Sequence, residues 1–114
     1  MVTIDKLKKY GADVKSGLER CVNNEALYLR LVGMVPTNAA FKELYNAINN
    51  NDLDGAFKAA HALKGITSNL SLTPLVNLVN EITELLRNKT QMDYSSLVND
   101  IEEKRSALEK LCNN

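Results

Sequence analysis

His61 is the sole histidine of this 114-residue chain, and the residues spaced around it make it the first candidate for chemistry. Lys58 precedes it by three positions, Lys64 follows by three and Gly65 by four. On a helix these spacings put all three beside the imidazole. A phosphorylated imidazole would carry roughly two negative charges, by analogy with other phospho-residues. Each lysine would favour that state by about 1 kcal/mol at a partly screened surface. A glycine inside a helix costs about 0.5–1 kcal/mol relative to alanine. Such a loss beside the imidazole points to close approach by something bulky, such as another protein. No metal site is expected: Cys21, Cys112 and one histidine cannot supply the usual four protein ligands for zinc. The chain also has no Gly-rich nucleotide loop, no G-x-x-x-x-G-K and no second candidate base.

The segment that must position His61 reads DLDGAFKAAHALKGITSNLSL, from Asp52 to Leu72. At about 100° per residue, Leu53, Ala56, Ala59, Ala60, Leu63, Ile66 and Leu70 share one broad core face, with Phe57 at its margin. His61 projects about 140° from the centre of that face, towards water. Asp54, Lys58, Gly65 and Ser68 share its outer side, and Lys64 sits at the edge.

The flanking segments read as helices too. Leu75, Leu78, Val79, Ile82, Leu85 and Leu86 form one stripe behind Thr73, a candidate N-cap, and Pro74 at the first helical position; Asn88 can close it. Leu97, Val98, Ile101, Leu108, Leu111 and Cys112 repeat the pattern from about Asp93. Upstream, Phe41, Leu44, Tyr45 and Ile48 mark a helix, and Tyr28, Leu31, Val32 and Val35 another, which runs from about Asn24 until Pro36 stops it. Two shorter pieces, Ile4 to Tyr10 and Val14 to Val22, flank Gly11. Asn49-Asn50-Asn51 signals a turn. Short links make sequential helices antiparallel neighbours. The expected fold is therefore all-α: a single domain over 1–114, an up-and-down four-helix bundle of about 37–50, 52–71, 73–88 and 93–112. Additional short N-terminal helices, within about 1–36, cover one end or side.

Composition agrees. The chain is 45% hydrophobic and 25% charged, ordinary globular usage, and only 5% aromatic, so the core is aliphatic. Fourteen Lys and Arg balance fourteen Asp and Glu, without the basic excess of a nucleic-acid binder. No apolar run approaches the roughly 18 residues needed to span a bilayer, and the opening MVTIDKLKKYGADV is too polar for a signal peptide. The expected compartment is the cytoplasm, with Cys21 and Cys112 reduced. The initial methionine and compact ends are those expected of a free-standing protein.

The run His61-Ala62-Leu63-Lys64-Gly65-Ile66-Thr67-Ser68-Asn69-Leu70 resembles the signature of the histidine phosphotransfer (HPt) domains of bacterial phosphorelays. Ala59-Ala60, Leu72, Gly11-Ala12-Asp13-Val14, Gly17-Leu18-Glu19-Arg20, Asn24-Glu25 and Leu27-Tyr28 are similar to that family as well. Two positions depart from it: Ser71 stands where many members place glycine, and Thr67 where many have serine or alanine. The resemblance implies that His61 accepts a phosphoryl group from a receiver-domain aspartyl phosphate and passes it to another receiver. Lys64 would give electrostatic support and Gly65 steric access. Lys58, Ala62 and Ser68 are candidates for the receiver-docking face; of the next helix, Asn77 is a further candidate, while Leu75 is expected in the core. No cofactor is expected on this chain, the magnesium belonging to the receiver. Autonomous ATP-dependent kinase activity is not expected. The partners implied are response-regulator receivers, including that of a hybrid histidine kinase, with the protein acting as a monomer. The competing reading is a phosphate-independent helical adaptor, which phosphorylation by an active phospho-receiver would separate from the carrier.

Overall fold

The structure, a computed structural model, describes residues 1–113; Asn114, the last residue of the expected domain, lies outside them. The described residues form seven helices: α1 Ile4–Tyr10, α2 Val14–Arg20, α3 Glu25–Gly33, α4 Ala40–Asn49, α5 Leu53–Asn69, α6 Thr73–Arg87 and α7 Ser95–Asn113. The chain is all-α, as its periodicity predicts. In chain order α5 packs against α4 and α6, and α7 packs against α6 and α1. None of these helices is long and apolar enough to cross a membrane.

Local chemistry sets most boundaries. The side chains of Thr3, Asp13, Asn24 and Asp52 each accept from a backbone N–H in the first turn of α1, α2, α3 and α5. Gly11 ends α1 in the left-handed region at φ 106°, its N–H donating back to Leu7 O. Four ends differ from expectation. Thr73 does not cap α6: it is the first helical residue, its hydroxyl donates to Ser71 O at 3.4 Å, and the buried Leu72 precedes it. Pro74 therefore sits one position further in, where its missing N–H still leaves no helical bond unmade. Helix α4 begins at Ala40 and not near Thr37; Ala39 precedes it without a side-chain cap, and Asn38 Oδ1 accepts from Ala40 N at 2.9 Å. Helix α2 stops at Arg20, and Val22 and Asn23 both take positive φ. Helix α3 ends at Gly33, before Pro36 could act on it.

The core runs along the inner faces of α4 to α7. Leu44, Leu63, Leu75, Val79, Ile82, Ile101 and Leu108 are fully buried. Truncating one such leucine to alanine costs about 2–5 kcal/mol. Helix α5 contributes a thin inner face, Ala56, Ala59, Ala60, Leu63 and Thr67. Those small residues let its neighbours pack close to its backbone. Thr67, where many members of the resembled family have serine or alanine, is fully buried and its hydroxyl donates to Leu63 O at 2.8 Å. That local bond satisfies the one polar group on this part of the face.

The N-terminal helices fasten to the turn between α5 and α6. Buried Tyr28 donates its hydroxyl to Leu70 O at 3.0 Å, and Asp13 N donates to Ser71 O at 3.0 Å. Ser71 Oγ donates to Ser16 Oγ at 3.1 Å. Gly17 allows the Tyr28 ring to lie across α2, since a Cβ there would come 2.5 Å from Tyr28 Cε1. Tyr10 ties α1 to α7 through Lys104 O at 2.8 Å. The far end of α5 is thereby held on several sides, which fixes the helix that bears His61.

A candidate phosphoryl-accepting face on helix α5

His61 lies near the middle of α5 and is exposed, as are Lys58, Ala62 and Gly65. Ser68 is partly exposed, one turn beyond Lys64. The wheel geometry explains this: the inner face carries the small apolar residues, and these five positions fall on the other side. In α6, Leu75 is fully buried and Asn77 exposed. Leu75 is thus a core residue and no part of an outward face.

The space beside the imidazole is open. Beyond its chain neighbours and the backbone of its own helix, no atom comes within 4 Å of the position a Cβ on Gly65 would take, and its φ is not in the left-handed region. Neither packing nor backbone geometry inside this chain asks for glycine at that position. The contrast with Gly17, where a side chain would collide with Tyr28, is direct.

A second helix takes part in the site. The Phe57 ring stacks on the imidazole, centroids 5.8 Å apart and planes 26° from parallel. The Arg87 guanidinium lies over Phe57, 5.1 Å from the ring centroid. Arg87 Nε also donates to Glu84 Oε1 at 3.3 Å. Lys64 Nζ lies 4.0 Å from that same oxygen. His61, Phe57, Arg87, Glu84 and Lys64 therefore form a circuit across the α5–α6 groove. The pairs Phe57–Arg87 and Lys64–Glu84 run in opposite order along the two helices, which makes α5 and α6 antiparallel. Lys64 keeps 37% of its side chain exposed, so its pairing with Glu84 is a loose surface contact. Asp54 on the same outer side pairs with Lys89 at 3.8 Å.

Sequence reasoning brought Lys58, His61, Lys64, Gly65 and Ser68 to one side of α5 but missed the others. Phe57 carried a signal, since it precedes His61 by four residues and so lies one turn away. Glu84 and Arg87 carried none, because the register between α5 and α6 is not legible in one sequence.

Other features lie elsewhere. A cleft of about 680 Å³ between α4 and α7, lined by Phe41, Tyr45, Val98, Glu102 and Arg105 among others, includes no residue of α5 or α6. Among the described residues no group of three or more His, Cys, Asp or Glu could hold a metal ion. Cys21 and Cys112 are unpaired thiols; burial pushes the Cys112 thiol upward from its ordinary pKa. The arrangement around His61 is an exposed imidazole on an open helix face, with Lys58 and Lys64 one turn to either side.

Residues 37–113 match the Hpt domain family. That is more than half of the chain, and the protein belongs to the Hpt domain family, the histidine phosphotransfer modules of two-component phosphorelays, which work with receiver domains. Such modules transfer phosphoryl groups and are not kinases. The matched segment begins where the expected bundle begins, so the N-terminal runs that also resemble the family lie outside it. No curated protein and no solved structure matches the chain.

Proposed function

We propose that His61 is the residue that carries the phosphoryl group, taken from a receiver-domain aspartyl phosphate and passed to the aspartate of a second receiver. The observation that supports this most is the exposed imidazole beside a bare Gly65, with nothing within 4 Å of the missing Cβ, in a chain of this family. In the accepting step Nε2 attacks phosphorus in line. The P–N bond forms as the P–O bond to the aspartyl carboxylate breaks, and the carboxylate leaves with the bonding pair. The reverse exchange loads the next receiver. Phosphoryl transfer depends mainly on alignment and charge neutralisation. This chain supplies the nucleophile, the Lys64 charge and a docking face including Lys58, Ala62 and Ser68. The receiver supplies the magnesium and the remaining catalytic groups, so the chain needs no cofactor and has no ATP-dependent kinase activity of its own.

The test is phosphorylation of the purified protein by a phosphorylated receiver. A single acid-labile, alkali-stable group should appear and should be absent from His61→Gln, whose melting temperature should stay nearly unchanged because the side chain is exposed. Labelling that survives the substitution refutes the assignment. A folded wild-type protein that binds phospho-receivers without being labelled would instead be a phosphate-independent interaction module.

A further inference from the structure

Glu84 is the one acidic side chain in the circuit around His61, and its position has no use in accepting a phosphoryl group. A carboxylate there repels an arriving phosphoryl dianion. Yet its Oε1 takes both cations of the circuit, Arg87 Nε at 3.3 Å and Lys64 Nζ at 4.0 Å. Both pairs are half exposed, with side-chain exposures of 47% for Arg87, 37% for Lys64 and 56% for Glu84. Exposed pairs of this kind are weak and exchange partners readily. Among the described residues neither cation pairs with another carboxylate. Arg87 also lies over Phe57, whose ring stacks on His61, so one aromatic ring links the guanidinium to the imidazole.

We infer that Glu84 is a positioning residue that acts as an internal counter-anion: it holds Lys64 and Arg87 while His61 is unmodified and gives them up to the phosphoryl group once it arrives. The inference rests on the reading of His61 as the phosphorylated residue. A phosphoryl group with about two negative charges outcompetes a single carboxylate for two nearby cations. Glu84 thus lowers the stability of phosphohistidine, by competing for the cations that neutralise it. It also keeps the two cations folded back along the α5–α6 groove in the unmodified state. The phosphorylated and unmodified proteins would then present different charge patterns to a receiver, although no backbone moves.

Phosphoramidate serves as a small donor that needs no receiver. His61 Nε2 attacks its phosphorus, the P–N bond to the departing nitrogen breaks, and ammonia leaves with that bonding pair. Phosphohistidine is followed by ³¹P NMR during loading and after removal of the donor. Glu84→Gln keeps the shape and removes the charge. It should load about threefold faster and decay about threefold more slowly, the size of one exposed ion pair. In a Lys64→Ala, Arg87→Ala background the same substitution should change neither rate. A merely structural Glu84 would not show that dependence on the two cations. In wild-type protein the Arg87 Nε–Hε resonance should shift on phosphorylation, a readout that stands even if a variant misfolds. Equal rates for wild type and a folded Glu84→Gln, an effect that persists without the two cations, or an Arg87 resonance that stays in place overturns the inference while leaving the carrier reading intact. Failure of phosphoramidate to label wild-type His61 overturns both.

Discussion

Glutamine at position 65 would place a long polar side chain one turn along α5 from the imidazole, where its Cβ would meet nothing within 4 Å beyond its chain neighbours and its own helix backbone. The fold therefore has no steric reason to object. Glutamine is a good helix former and glycine a poor one, so Gly65→Gln should gain about 0.5 kcal/mol. For a chain of this length that raises the melting temperature by about 3 °C. Docking is affected the other way. A receiver that brings its aspartate within bonding distance of His61 must cover the neighbouring turn, and the new side chain would occupy that space. Transfer from a phospho-receiver should fall at least about tenfold, or 1.4 kcal/mol of barrier. Loading by phosphoramidate should change far less, because that donor needs little room. Rapid-quench transfer assays, small-donor loading and thermal melts on the same preparation separate the effects. Normal receiver transfer by Gly65→Gln would refute the steric argument. So would an unfolded variant, because glycine would then be serving packing within the bundle.

Lys64→Ala should slow receiver transfer about tenfold, in line with about 1.4 kcal/mol, as measured by the same quench assay; equal rates would remove its charge from the mechanism. Gly17→Ala should destabilise the protein by about 1–3 kcal/mol in chemical denaturation, since a Cβ there overlaps the Tyr28 ring and forces it to shift. Stability should also fall in alkali. Burial first, then the nearby Cys21 and Asp13, push the Tyr28 hydroxyl up to about 12 from the ordinary 10.0. The folded state thus holds this proton more tightly than the unfolded chain does. Its contribution is complete below about pH 10 and is lost as pH rises towards 12. Tyr10 and Tyr45 are pushed upward as well, again chiefly by burial. Melting temperature should therefore be flat to about pH 9.5 and then drop, less steeply in Tyr28→Phe; parallel curves would show that Tyr28 is not the group responsible.

Where one helix alone decides the answer, the sequence is a good guide. The outward placement of His61 follows from residues on its own helix, and so does the buried stripe of Leu75, Val79, Ile82 and Leu86. The same wheel places Thr67 four residues after Leu63, on the inner face, where it is fully buried. Ends were harder. Thr73 and Asn38 are both residues that can cap a helix, yet Leu72 and Ala39 hold the cap positions, with no side-chain bond at either. Among the described residues the five non-glycine residues at positive φ, Val22, Asn23, Asn51, Ser71 and Lys89, all sit just after a helix. Each closes a turn that glycine would close without strain. Ser71 is the position where the family often has glycine, and its φ of 52° gives the physical reason. The part of the site contributed by α6 was out of reach because it depends on how two helices slide past one another.

That α6 contribution bears on how an open site can be selective. In water, ion pairs as exposed as Lys64–Glu84 and Arg87–Glu84 are worth between about 0 and 1 kcal/mol. The same charges at the same distances interact several times more strongly when a partner covers them and the effective dielectric constant falls. A receiver seated over His61 would therefore both align the reacting atoms and raise the value of every charge in the circuit. A small molecule colliding with the open face gains neither effect. Phe57 and Arg87 hold the imidazole and a cation in register beforehand, so that little ordering remains to be done when docking occurs. Selectivity for a receiver then needs no pocket on this chain, because the low-dielectric enclosure in which the charges act is completed only by the partner.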